Sequence, residues 1–482
     1  MVMQQSGTMV KEQGRRVHFL FSSFIMVIFQ VIDVINLNIE SLYTWHGSSM
    51  DHLFNAKIET MPRKKIQELQ LERLRKTVHL VYETVPHYKK KFKELEVTPG
   101  DIKTLADIRK LPFTTKDDLR KNSPFGMMTT SLDNCIELHA SSGTTGVPVT
   151  ACYTREDLEV WSEVMARCLS MSGLTRKDVF QNPIPYGTFT GAFGFHYGAQ
   201  KIGALVIPSG KGQSERQIKL MEYYGTTFIS GVASYAMRLG QVAVEMSIDP
   251  KSLKVRNGLF GAEMFTPGLK KRIMETWDMD VHDIYGLTEM CGPGVSTDCD
   301  QHDGLHLWED HFLVECVDPM TLEPVEPEEE GEIVLTTLTK EGMPLLRYRT
   351  RDIAKIYDQE VCSCGRTHVR HSMIKGRSDD MIIIRGTNIY PGQIESVLMN
   401  NPLVGGNWRM VLTTENDVDY LTIEVETKQR LSLADSEQLG QKLKGDIQAV
   451  IVFTPRIDVL PPNTILETGL KAKRVIDNRQ KD

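Results

Sequence analysis

Between His139 and Thr150 the chain reads HASSGTTGVPVT, small hydroxyl residues around Gly143 and Gly146 with no lysine. Backbone N–H groups and hydroxyls in such a loop can wrap an anion. The Walker pattern G-x-x-x-x-G-K-[ST] is excluded, because the glycines are too close and Val147 stands where the lysine would be. Taken alone, the run reads more simply as a flexible linker. A second constellation is built on sulfur. Cys362 and Cys364 flank a single residue and precede Gly365, a turn that can aim two sulfurs at one point. Cys299 and His306 lie upstream, and three cysteines with one histidine make a closed zinc set. His302 competes with His306, since C-x-x-H is also good metal spacing, and buried free thiols are the alternative to any metal.

These residues need elements to position them. From about Gln181 to Gly286 short apolar runs alternate with helical patterns. ALVIPSG, FISGV, VRNGLFGAE and DIYGLTEM read as strands, with QSERQIKLMEYYG, SYAMRLGQVAVEM and TPGLKKRIMETW as helices between them. Thr266 and Pro267 supply a helix start. The alternation predicts parallel strands with crossover helices, whose ligands sit beyond the carboxyl ends of the strands. Gly261, Ala262, Glu263 and the segment Tyr285, Gly286, Leu287, Thr288, Glu289 fall at such ends. Upstream, residues 62–94 read as helical, with Ile66, Leu69, Leu74, Val78 and Val81 as an apolar stripe. After Cys299, HFLVECVD and GEIVLTTL read as strands around an acidic connector. The last hundred residues hold a hairpin, a helix and a strand, enough for a small α+β domain.

The 482 residues predict two to four domains, and the net charge of −7 gives no reason to expect nucleic acid. Eight cysteines, sparse and uneven, argue for a reducing compartment and hence a cytoplasmic protein. Residues 17–37 (VHFLFSSFIMVIFQVIDVINL) are apolar but interrupted by Ser22, Ser23, Gln30 and Asp33. They suit a membrane span in length and a signal peptide in their basic flank, yet the interruptions are costly at a bilayer centre and no clear cleavage site follows. The preferred reading is an upstream extension of the reading frame, with the true start at Met50.

SSGTTGVP, YGLTE, RYRTRD, GRSDDMIIIRGTNIYPGQIE and KAKRVID occur in the order and approximate spacing of the acyl-adenylate-forming enzymes. LPFTTKDDLRKNSPFGM, YGTFTGAFGFHYG and GLHLWEDHF resemble the phenylacetate-CoA ligase branch of that family. The resemblance covers roughly residues 50 to 479. It implies an α/β protein with three parts. Residues 1–49 are an extension, and residues 50–378 form a large domain of parallel-rich sheets with a β-rich subdomain. Residues 379–482 form a small mobile α+β lid.

The implied reaction has two steps: a carboxylate attacks the α-phosphorus of ATP, releasing pyrophosphate, and the thiol of coenzyme A then displaces AMP. In that frame Ser141, Ser142, Gly143, Thr144, Thr145 and Gly146 clamp the β- and γ-phosphates, and no lysine is needed. Glu289 holds Mg²⁺, and Thr288 bonds a phosphate or the acyl carboxylate. Tyr285 stacks on adenine, Asp283 accepts from its amino group, and Asp352 accepts both ribose hydroxyls with Arg377 nearby. Gly261, Ala262, Glu263 and Gly286 line the nucleotide. Lys471 bridges substrate carboxylate and α-phosphate. Leu470 departs from the branch, which has glycine directly before the lysine, and Lys473 is the fallback. Asp379 is the hinge, and Gly386 lets the pantetheine arm pass close to backbone. Tyr186, Phe189, Phe193 and Ala262 line the acyl pocket, although the aromatics read equally as core. His306 rather than His302 completes the zinc set, because it sits in the branch-like GLHLWED. The expected partners are a small aromatic carboxylate, ATP and CoA, with no membrane for the enzyme core and a homodimer left open.

Overall fold

The computed structural model describes residues 52–141, 148–263, 265–357, 361–379, 382–385, 387–415, 418–451, 453–465 and 474–479. The extension at residues 1–49 lies outside them. The centre is an eight-stranded sheet, and the expected alternation is its parallel half. Leu205–Ile207, Val179–Gln181, Phe228–Gly231, Asn257–Gly261 and Asp280–Leu287 lie side by side and parallel. Helices Gly191–Ile202, Ser214–Tyr224, Ala233–Glu245 and Pro267–Trp277 make the crossovers. The Thr266 hydroxyl accepts from the Leu269 N–H at 3.2 Å and caps the last of these. Three antiparallel strands, Gly292–Asp298, Leu305–Leu307 and Arg370–His371, extend the other side of the sheet.

The expected strand pair after Cys299 is real: Phe312–Val317 and Glu330–Thr337 pair antiparallel and are joined by Tyr348–Lys355 and Gly376–Arg377 in a four-stranded sheet. The helical stretch from residue 62 to 94 is broken rather than continuous. Arg63–Thr84 and Pro86–Glu94 are separate helices because Val85, ahead of a proline, is extended at φ −107°, ψ 108°. Of the stripe, Ile66, Leu74, Val78 and Val81 are fully buried and Leu69 partly.

The described chain from His52 onward forms one unit with separate apolar cores. One of them belongs entirely to residues 382–475, where the hairpin Val404–Glu415 with Val418–Thr427 gains parallel neighbours Arg456–Leu460 and Val475–Asp477 and is covered by helix Leu433–Ile451. Among the described residues no helix is long and apolar enough to cross a membrane.

Candidate active site

The glycine-rich loop springs from an antiparallel hairpin, Cys135–Ala140 with Thr150–Thr154. Its neck is pinned at Ser141, whose N–H donates to the Val149 carbonyl at 2.9 Å and whose Oγ accepts from the Val149 N–H at 3.0 Å. Ser142, Gly143, Thr144, Thr145 and Gly146 lie outside the described residues. The Ala140 N–H donates to the Thr188 carbonyl at 2.8 Å, which ties this neck to the aromatic segment.

Across the sheet, strand ends approach so closely that glycine is required. A Cβ on Gly261 would meet the Ile284 carbonyl, and one on Gly286 the Gly292 carbonyl. Tyr285 and Asp352 meet from different sheets: the tyrosine hydroxyl donates to Asp352 Oδ2 at 2.7 Å. Asp352 stands opposite Arg377 in the strand register, and Arg377 Nη1 donates to Oδ1 at 3.2 Å. Burial pushes the Asp352 carboxyl up to about 6, against the opposing pull of Arg377 and Tyr285. The same guanidinium donates through Nε and Nη2 to both Asp379 oxygens, each at 2.9 Å. The expected ribose carboxylate and the expected hinge residue thus share one arginine.

Thr288 and Glu289 are buried directly after strand Asp280–Leu287. Lys116 Nζ stands 3.4 Å from Glu289 Oε1. Burial together with the Glu289 charge raises the Tyr348 phenol well above its ordinary value. Lys340 is buried beneath, donating to the carbonyls of Glu289 and Met290 at 3.2 and 2.7 Å. Sequence reasoning missed Lys116, Lys340 and Tyr348. Asp283 is buried, its backbone N–H donating to Asp298 Oδ1 at 2.7 Å, and burial beside the Asp298 charge raises its carboxyl. Glu263 is engaged by Ser234 Oγ at 2.9 Å.

Two of the four expected pocket residues cluster. Phe193 packs against Tyr186, His139 and Tyr197 with ring centroids 5.3, 5.4 and 5.9 Å apart. The Tyr186 hydroxyl accepts from Asn182 Nδ2 at 3.0 Å and lies 3.0 Å from His196 Nδ1. Phe189 is exposed and lies over Gly191, while Ala262 is exposed in a left-handed conformation, φ 66°. Gly386, Leu470, Lys471 and Lys473 lie outside the described residues.

The sulfur constellation assembles as read. One ligand atom from each of Cys299, His306, Cys362 and Cys364 lies within 4.8 Å of all the others, and all four residues are buried. Cys299 Sγ is 3.8 Å from Cys362 Sγ, and Cys364 Sγ is 3.5 Å from His306 Nε2. Gly365 at φ 87° reverses the chain immediately after Cys364, and His306 arrives through its register with Arg370. His302 faces elsewhere, toward Asp280 and Asp298 at 3.1 and 3.0 Å, so it is not the fourth member of this set.

Known proteins carry the same organisation. Residues 55–338 match the family model for the AMP-binding enzyme, and residues 386–479 match that for the AMP-binding enzyme C-terminal domain. Phenylacetate-coenzyme A ligase of Aromatoleum evansii is 40% identical over 88% of this chain and 97% of its own length. That of Thermus thermophilus is 38% identical over 89% of this chain and 100% of its own length. A 2-hydroxyisobutyryl-CoA ligase, 27% identical, superposes with a TM-score of 0.83 in its postadenylation state, covering 90% of this chain and 94% of that one. The same ligase in its thioesterification state, 28% identical over 91% of this chain and 94% of its own, scores 0.67. The chain belongs to the AMP-binding enzymes, in the phenylacetate-CoA ligase branch of the adenylate-forming ligases.

Proposed function

We propose that this protein joins phenylacetate to coenzyme A through phenylacetyl-adenylate, consuming ATP and releasing AMP and pyrophosphate. The observation that carries the reading is the convergence of Tyr285, Asp352 and Arg377 beside buried Thr288 and Glu289. These groups stand in a chain that matches phenylacetate-CoA ligases over nearly all of their length. Asp352, ionised, accepts the two ribose hydroxyls, and Tyr285 keeps the carboxylate turned toward the nucleotide. Asp283 sits one strand position before Ile284, where the adenine amino group would meet its carboxylate. The loop from Ser141 to Gly146 wraps the terminal phosphates through backbone N–H groups and hydroxyls.

Glu289 suits Mg²⁺, a hard cation that takes one or two carboxylates together with phosphate oxygens. Its buried carboxylate already faces a cation, the Lys116 ammonium. The ion would neutralise phosphate charge; Lys340, by gripping the Glu289 and Met290 carbonyls, fixes where that carboxylate points. Lys471 stabilises the charge that develops on the α-phosphate. Residues 379–482 rotate about Asp379 between the half-reactions, bringing Gly386 to the thiol path. The phenyl ring lies against Tyr186 and Phe193. Cys299, His306, Cys362 and Cys364 hold one structural zinc, for which the donor set and its closeness are right. A cytoplasmic location fits free thiols and soluble substrates.

Incubation with ATP, Mg²⁺, CoA and a panel of aromatic acids tests the reading. Phenylacetate should give the highest kcat/KM, with AMP and pyrophosphate as products. ADP with orthophosphate as direct products would refute adenylation. A clear preference for benzoate or indole-acetate would keep the mechanism and change the substrate.

A further inference from the structure

We propose that His282, His302 and Asp298 form a second divalent-metal site, separate from the cysteine set. His282 and Asp298 belong to neighbouring antiparallel strands, Asp280–Leu287 and Gly292–Asp298, and His302 follows in the next turn. Asp280 faces Nε2 of both imidazoles, at 3.0 Å from His282 and 3.1 Å from His302. A neutral imidazole has one N–H and one lone pair. With both N–H groups directed at Asp280, both Nδ1 atoms face the other carboxylate: His302 Nδ1 is 3.0 Å from Asp298 Oδ2, and His282 Nδ1 is 3.4 Å from Asp298 Oδ1. His282 is only 1% exposed, and its Nδ1 has no hydrogen-bond partner. Ligand atoms of the three residues all lie within 4.8 Å of one another.

A carboxylate behind each imidazole is how metal-binding histidines are held in one tautomer and orientation. The site already attracts a cation. Lys270, on helix Pro267–Trp277, donates to Asp298 Oδ2 and lies 2.9 Å from His302 Nδ1. A metal ion would take up the two Nδ1 lone pairs and move the Lys270 ammonium aside. Two imidazoles and one carboxylate suit Zn²⁺, Co²⁺ or Ni²⁺ rather than Mg²⁺ or Ca²⁺. His302 retains 29% exposure of its side chain, which leaves a path for the ion and for completing waters. Asp298 also holds the Asp283 N–H, so a filled site would stiffen the strand that carries Asp283 and Tyr285.

Metal-free, untagged full-length protein titrated with Co²⁺, with bound metal counted by equilibrium dialysis and followed by absorption, tests the site. We expect one equivalent with thiolate-to-cobalt absorption and a further equivalent without it. His302→Ala should remove the thiolate-free equivalent and leave the thiolate absorption intact, which also shows that the variant is folded. Asp280→Asn should weaken it by about 10–100-fold, the usual effect of losing an outer-shell partner. Lys270→Met should tighten it. Absence of any thiolate-free equivalent in the unaltered protein, or its survival unchanged in His302→Ala, would overturn the proposal, whatever the cysteine set does.

Discussion

The core formed by residues 382–475 contrasts with the cores packed around the large sheet. The former is aliphatic almost throughout, with Ile394, Leu412, Ile423, Leu443 and Ile447 fully buried and Trp408 nearly so. Among its described residues, only Asn401, Glu426 and Thr427 are buried polar side chains. The large region buries Asp283, Glu289, Asp298, His282, His306, Lys340 and Arg347, most of them holding one another by hydrogen bonds or charge. Burying ionisable groups is expensive unless they are paired, so their presence marks where chemistry has been placed. A region built around its own aliphatic core is suited to move as a body. The proposed division of labour matches this contrast: the large region would grip nucleotide and metal, and the small one would deliver Lys471 and then withdraw it.

The sharpest loss on the large side should come from Glu289. Glu289→Gln should lower adenylate formation by about 10²–10³-fold, the scale of one lost charge-stabilising group, measured as ATP–pyrophosphate exchange at saturating Mg²⁺. Unchanged exchange would remove Glu289 from the metal site. Asp352→Asn should weaken nucleotide binding by about 10–100-fold, since hydrogen bonds to a charged group contribute about 1.5–3 kcal/mol.

Asp352 also sets a pH window. Its folded pKa is raised, so ionising it in the fold costs stability as pH rises through about 6. Accepting both ribose hydroxyls needs the ionised form. Adenosine, which has no phosphate to titrate, should therefore bind fully above that pH and progressively less below it. Asp352→Asn should abolish this dependence, and calorimetry at pH 5 and pH 8 checks it.

Much of this was readable in the chain. The alternation from Gln181 to Gly286 predicted the parallel strands, because buried parallel strands leave continuous apolar runs. The sulfur set was readable because Gly365 fixes the turn beside Cys364. What escaped was either half-exposed or non-local. The hairpin that bears the glycine-rich loop begins with Cys135–Ala140, partly or largely exposed except at His139, and so leaves no apolar signature. Lys116 looks like the first residue of a helix capped by Thr115, and nothing nearby announces Glu289. The link from Asp283 to Asp298 exists only because two strands pair.

Two smaller effects sharpen the contrast. Cys362→Ser should lose the expected zinc and lower the melting temperature by loosening the Cys299 and Cys364 segments of the large region. Chelation of the unaltered protein should do the same, and a zinc-free protein with unchanged melting would end that assignment. Deleting residues 1–49 should change neither activity nor melting, because the match to the AMP-binding enzyme family begins at residue 55. An inactive truncation would place part of the chemistry in the extension.

The division between gripping and delivering is tested most directly by Lys471→Ala with the half-reactions measured separately. Adenylate formation from ATP and phenylacetate should fall by at least about 10²-fold. Thioester formation from supplied phenylacetyl-adenylate and CoA should be largely preserved, because the proposed rotation would by then have taken the lysine off the phosphate. Equal slowing of both halves, or of neither, would contradict the account.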